Sequence, residues 1–128
     1  MPRLVFDTRF FTTTFYSRDA ETQSKVRELI TRNKERYVST AAIHELYFLT
    51  LAKEGREVAR LRLQTVRDAF RVVDISEQIA VAAAELRHKY RIPMGDGLIA
   101  ATCRSLDATC VTDDPHFSAV KEIKTLWL

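Results

Sequence analysis

The chain has 128 residues, enough for one domain, and 46% hydrophobic with 29% charged residues is the composition of a folded soluble protein, neither disordered nor fibrous. Three glycines and three prolines exclude a turn-dense sandwich and any collagen-like or linker-rich chain, so helix should dominate. Twenty Lys plus Arg against 17 Asp plus Glu, a net charge of +3, is compatible with a local basic surface but establishes no nucleic-acid binding.

The N-terminal MPRLVFD reaches an acid at once, with neither an apolar leader core nor a cleavage site, which argues for a cytoplasmic protein. Leu4-Val5-Phe6 is a short apolar run without polar alternation, as expected for a strand covered on both faces, and it ends at Asp7. Val26, Leu29 and Ile30 then recur at helical spacing, before a second short run at Tyr37-Val38-Ser39. The most apolar stretch, Ala41 to Ala52, is too short to span a membrane and contains His44 and Glu45. After Gly55, Val58, Leu61 and Val66 mark a helical stripe, and Lys53, Arg56, Arg60, Arg62 and Arg67 form a basic surface, read as a solvated face ahead of the alternative of a dedicated RNA contact. A third run covers Arg71 to Ile75. Ser76 is placed to cap a helix whose inner face is Ile79, Ala82, Ala83, Leu86 and Tyr90. Another helix is expected over Leu98 to Leu106, then a fourth run at Thr109 to Thr112 and a fifth at Ile123 to Leu128. Cys103 and Cys110 make neither a disulfide framework nor a zinc site and read as buried reduced thiols.

Short apolar strands separated by helices imply βαβ crossovers. The expected fold class is α/β: three layers, with a central parallel sheet of four to five strands and helices on both faces. Residues 1–128 carry no repeat, linker or low-complexity segment and read as a single domain.

In open parallel sheets the ligand crevice lies beyond the carboxyl ends of the strands, so acids there matter most. Asp7 ends the first strand, and Asp113 and Asp114 follow the fourth. Glu45 interrupts an apolar helical stripe made by Ala41, Ala42, Phe48, Leu49 and Ala52, with no Lys or Arg within one turn. A carboxylate there is costly unless it is paired, hydrogen-bonded, metal-bound or reaching water from an edge. Asp96 sits among Ile92, Pro93, Ile99, Ala100 and Cys103, where a helix's first turn also favours an acid through the macrodipole. Asp7, Glu45, Asp96 and Asp114 thus come from four elements that the topology can bring to one rim. Carboxylates gathered there repel one another unless a cation intervenes, and oxygen donors of this kind suit Mg²⁺ or Mn²⁺. Such ions activate water for attack on a phosphodiester.

Four motifs then carry a resemblance: Val5-Phe6-Asp7-Thr8, Ile43-His44-Glu45-Leu46-Tyr47, the run Ile92 to Thr102 with Gly95-Asp96-Gly97 inside it, and Val111 to Phe117. In order and spacing the chain resembles a PIN-domain ribonuclease, most closely the VapC-type toxin of a type II toxin–antitoxin pair. The resemblance implies an endoribonuclease dependent on Mg²⁺ or Mn²⁺, with an acidic quartet at Asp7, Glu45, Asp96 and Asp114. It makes Asp7, Asp96 and Asp114 the metal ligands and puts the Thr112 hydroxyl beside them. It also implies an RNA substrate, a homodimer, and a cognate antitoxin that blocks the acidic site. Two departures stand out. The family usually has a small or polar residue after Asp-Thr, where this chain has Arg9, set either to contact a substrate phosphate or to obstruct the metal. Thr112-Asp113-Asp114 offers two acids, of which Asp114 matches the Thr-x-Asp-x-x-Phe spacing and also stands where a short helix needs its N-cap. The competing readings are a catalytically silent RNA-binding or regulatory module and a phosphoacceptor domain using Asp74. The latter wants paired acids after the first strand, where Thr8 and Arg9 stand instead.

Overall fold

In the computed structural model, which describes residues 2–128, the expected apolar runs become five strands: β1 (Leu4–Phe6), β2 (Arg36–Ser39), β3 (Arg71–Val73), β4 (Thr109–Val111) and β5 (Lys124–Leu126). All neighbours pair in parallel, in the order β3-β2-β1-β4-β5. Successive strand residues face opposite sides, yet Leu4, Val5 and Phe6 are all at most 2% exposed, so both faces of the central strand are covered.

The helices are α1 (Thr8–Tyr16), α2 (Ala20–Arg32), α3 (Thr40–Glu54), α4 (Arg56–Ala69), α5 (Glu77–Tyr90), α6 (Met94–Leu106) and the single turn α7 (Pro115–Ser118). Ser76 caps α5 as expected, accepting from the Ile79 N–H at 3.1 Å. By contrast, the periodicity does not announce α1. Its threonines and aromatics favour strand locally, and tertiary packing decides instead. Phe10 and Phe11 are buried, with Phe6–Phe10, Phe6–Phe70 and Phe11–Phe70 ring centroids 4.7, 4.9 and 5.1 Å apart and edge-on. Each such pair contributes roughly 0.5–1.5 kcal/mol beyond area burial.

Three expectations about the α3–α4 hairpin need correcting. Leu61 is 69% exposed rather than part of an inner stripe, and Phe48, expected beside Glu45 in an apolar surround, is 65% exposed. Helix α3 is apolar on more than its core-facing side, so Phe48, Leu51 and Leu63 line an open apolar groove of about 370 Å³. Nor is the basic group wholly a solvated face: Arg62 is largely buried, stacks on Phe15 and Tyr16 and pairs with Glu54. Cys103 and Cys110 are free and buried, and the Cys103 hydrogen bond together with burial pushes the Cys110 thiol up.

The sheet grows from β1 outward through β2 to β3, then restarts on the other side with β4 and β5. This reversal leaves a crevice beyond the carboxyl ends of β1 and β4.

Candidate active site

Asp7 leaves β1 at that crevice, and its N–H donates to Val111 O at 3.1 Å, tying it to the end of β4. Its side chain is 3% exposed and accepts from Thr112 Oγ1 through Oδ2 at 2.8 Å. Thr112 Oγ1 in turn accepts from the Asp114 N–H at 3.0 Å, so one hydroxyl links two of the acids. Burial pushes the Asp7 carboxyl up to about 6; the Thr112 hydrogen bond opposes this, and the charges of Glu45 and Asp114 add to it.

Asp96 stands in the first turn of α6. The helix is brought close against α5 at Gly97, where a Cβ would lie 2.5 Å from Arg87 Cγ and 3.3 Å from the Ala83 carbonyl oxygen. Burial again comes first in pushing Asp96 up to about 6, followed by the charges of Asp114 and Asp7, with His116 opposing. His116 Nδ1 lies 3.1 Å from Asp96 Oδ2 and 3.0 Å from Asp114 Oδ1. Asp114 Oδ1 also accepts from the His116 N–H at 2.9 Å as the N-cap of α7. Capping and membership of the acid cluster are therefore simultaneous at Asp114.

Glu45 reaches the cluster from α3, whose N-cap Ser39 ends β2 and accepts from the Ala41 N–H at 3.0 Å. Its Oε1 accepts from Thr8 Oγ1 at 2.9 Å. The start of α6 packs tightly beside it at Gly95: a Cβ there would stand 3.0 Å from Glu45 Oε2, and the carboxylate would have to shift by a few tenths of an ångström. Glu45, Gly95, Met94 and Leu98 line a groove of about 460 Å³.

Asp7, Glu45, Asp96, Thr112 and Asp114 thus meet at one rim, near enough for their charges to act on one another. Thr8, Gly95 and His116 belong to the same constellation but were given no role from sequence. Their signal was adjacency, since each lies within two residues of an acid. Asp113 is turned away from the other acids toward Arg9.

The family model for the PIN domain matches residues 4–123. The chain belongs to the PIN-domain family. By sequence, no curated protein matches it. Among solved structures, this PIN domain is similar to DNA-bound VapBC from Salmonella typhimurium, with TM-score 0.85, 18% identity and coverage of 99% of this chain and 98% of the other. VapBC2 from Rickettsia felis bound to a promoter DNA fragment gives TM-score 0.81, 18% identity and 98% coverage of each chain. VapC20 of Mycobacterium tuberculosis, a Sarcin-Ricin loop cleaving toxin, gives TM-score 0.75, 20% identity and coverage of 94% of this chain and 98% of that one. These likenesses agree with the fold and family expected from the motifs.

At the rim of this PIN domain one compact set of donors suits a divalent cation; it joins two carboxylates to an imidazole and does not include Asp7. Donor atoms of Asp96, Asp114 and His116 lie within 4.8 Å of one another. Asp7 and Asp96 are both raised by burial and by neighbouring negative charge, a deficit that a divalent cation offsets.

Proposed function

We propose that this PIN domain is a divalent-metal-dependent endoribonuclease, the toxin of a VapBC-type toxin–antitoxin pair, with the chain working as a single nuclease domain. The observation that carries the reading is the convergence of four carboxylates from four elements beyond the ends of β1 and β4. The similarity to a toxin described as cleaving the Sarcin-Ricin loop supports it.

In this proposal Asp7, Asp96 and Asp114 would hold Mg²⁺ or Mn²⁺, whose charge lowers the pKa of water and stabilises the leaving oxygen of a phosphodiester. Thr112 locks Asp7 in one orientation and ties it to Asp114 through the Asp114 N–H. Glu45, held through Oε1 by Thr8, offers Oε2 to accept the proton of the attacking water.

The proposed partner is a cognate antitoxin. An acidic cleft is a receptor for a guanidinium, which binds carboxylates through two parallel hydrogen bonds, so an inhibitory segment would place an Arg near Asp7, Glu45 and Asp96. The apolar α3–α4 groove offers such a protein a second area of contact. A homodimer and a cytoplasmic location complete the proposal. Among the described residues no helix is long and apolar enough to cross a membrane.

The test is cleavage of mixed RNA by purified protein in Mn²⁺ or Mg²⁺, with EDTA and Asp7→Asn as controls. Fragments are expected with metal and wild-type protein alone. RNA that stays intact with both metals would overturn the assignment.

A further inference from the structure

Arg9 is the second residue of α1, next to Thr8 and Asp7, and its side chain is 58% exposed. Its Nε donates to Asp113 Oδ1 at 2.5 Å and its Nη2 to Asp113 Oδ2 at 3.2 Å. This fork uses one edge of the guanidinium and leaves both N–H groups of Nη1 and one of Nη2 free. The pair is a poor stabilising device on two counts. An exposed ion pair contributes little to stability, and a cation in a helix's first turn opposes the macrodipole. Asp7, the N-cap, is the acid nearest that turn, and none lies within it.

What the pair does achieve is placement. Asp113 lies between Thr112 and Asp114, and Arg9 follows Asp7 and Thr8, so the bridge spans the lip of the crevice with both anchors fixed by site residues. A polyanion approaching four carboxylates is repelled, and a guanidinium held at the lip offsets that repulsion on the path of approach. Resting on the nuclease reading above, we propose that Arg9 grips a backbone phosphate of single-stranded RNA beside the bond to be cut, and that Asp113 is a positioning residue that holds the guanidinium there. Asp113 is therefore excluded from the metal-binding acids by its engagement with Arg9. The residue that departs from the family's usual small or polar side chain becomes a substrate contact.

The experiment measures the Kd of the full chain for a fluorescein-labelled single-stranded RNA in EDTA across a salt series, and separately kcat and KM for cleavage in Mn²⁺. For Arg9→Ala the expected result is a Kd and KM raised about tenfold with kcat little changed, which is the loss of one charge-assisted contact. The slope of log Kd against log salt falls by about 0.7, the value for one phosphate contact on a single strand. Arg9→Lys keeps the slope but recovers only part of the affinity, because a point charge lacks the fork.

Asp113→Asn separates positioning from bulk charge. Removing a negative charge tightens RNA binding if only charge counts, whereas loss of a positioning partner weakens it several-fold with the salt slope unchanged. Binding as tight as wild type in Asp113→Asn, or an unchanged Kd and salt slope in Arg9→Ala, overturns the clamp. Failure of the wild type to cut RNA overturns the nuclease reading instead, since the affinity readout needs no cleavage; failure to bind RNA in EDTA overturns the clamp, and failure at both overturns both.

Discussion

Burial raises the carboxyl at each end of the acid crevice to about 6, but the groups that hold the two carboxyls differ. Asp7 belongs to the scaffold: its backbone is tied to β4, and a neutral donor, Thr112, fixes its side chain. Asp96 lies at a helix start, packed against a neighbouring helix, and its side-chain partner is His116, whose charge depends on protonation. The group that opposes the rise is a hydroxyl hydrogen bond at Asp7 and the charge of an imidazole at Asp96. The rigid end, in this sense, is Asp7, held by a strand and a hydroxyl, and the adjustable end is Asp96, held by a helix start and an imidazole.

The largest effects come from neutralising each end in turn. Asp7→Asn and Asp96→Asn are each expected to lower RNA cleavage by about a hundredfold or more, as removal of a charge stabilising the reacting groups does. Their stabilities should part company. In EDTA at neutral pH, Asp7→Asn should raise stability by roughly 1–3 kcal/mol, because a buried carboxylate raised to about 6 is ionised there at a cost. Asp96→Asn gains less, since the amide gives up the attraction of His116. Urea unfolding of both variants checks the order, and equal gains would erase the distinction between the two ends.

The same shifts fix the pH dependence of the metal-free protein. Asp7 and Asp96 ionise near 3.8 when unfolded and near 6 when folded, so between those values the folded state holds protons that the unfolded chain has released. Stability must therefore fall as pH rises from about 4 to about 7, by roughly 3 kcal/mol for Asp7 alone. Asp19, Glu35 and Glu122, lowered mainly by side-chain hydrogen bonds, act in the opposite sense, at and below their ordinary values of 3.8 and 4.5. Melting in EDTA at pH 5 and pH 7.5 measures the loss, and saturating Mn²⁺ should remove it. A melting temperature in EDTA that rises across this interval contradicts the burial cost at both ends.

Thr112→Val sharpens the contrast at the rigid end. It removes the donor to Asp7 and the acceptor for the Asp114 N–H, a loss of about 1–3 kcal/mol for groups left unpaired in a buried setting. Because the Thr112 bond holds the Asp7 carboxyl down, its midpoint should move above about 6, read by carboxyl NMR, while Asp96 moves less. Thr112→Ser should restore both values. An unmoved Asp7 midpoint would remove Thr112 from its control.

The acids were legible in sequence because a carboxylate after an apolar strand, or among apolar helix neighbours, violates a local rule that burial normally enforces. The strands were legible for a related reason: Leu4-Val5-Phe6 has no polar alternation and so has no face to give to water. Helix α1 was not, because Thr8–Tyr16 becomes helical through ring packing with Phe6 and Phe70, two contacts distant in sequence from one another. His116 was hidden by its ordinary surroundings, since only the bend that α7 makes after Asp114 turns its ring back toward Asp96. The pairing of Arg9 with Asp113, 104 residues away, likewise exists only once β1 and β4 lie side by side.

The smallest stability effect, and the test that joins the two ends, falls on Asp114. It touches the rigid end through its N–H to Thr112 and the adjustable end through Oδ1 to His116. As the N-cap of α7 it accepts from the His116 N–H, a task Asn performs about as well as Asp, whereas Ala costs roughly 0.5–2 kcal/mol. Asp114→Asn should therefore leave the melting temperature in EDTA nearly unchanged. An amide oxygen is nevertheless a far weaker ligand for a hard divalent cation than a carboxylate, so Mn²⁺ affinity and kcat should both fall. Asp113→Asn should instead alter KM while leaving kcat and Mn²⁺ affinity in place. A wild-type kcat in Asp114→Asn beside a collapsed kcat in Asp113→Asn would exchange the roles of the two neighbours and leave Asp114 a cap alone.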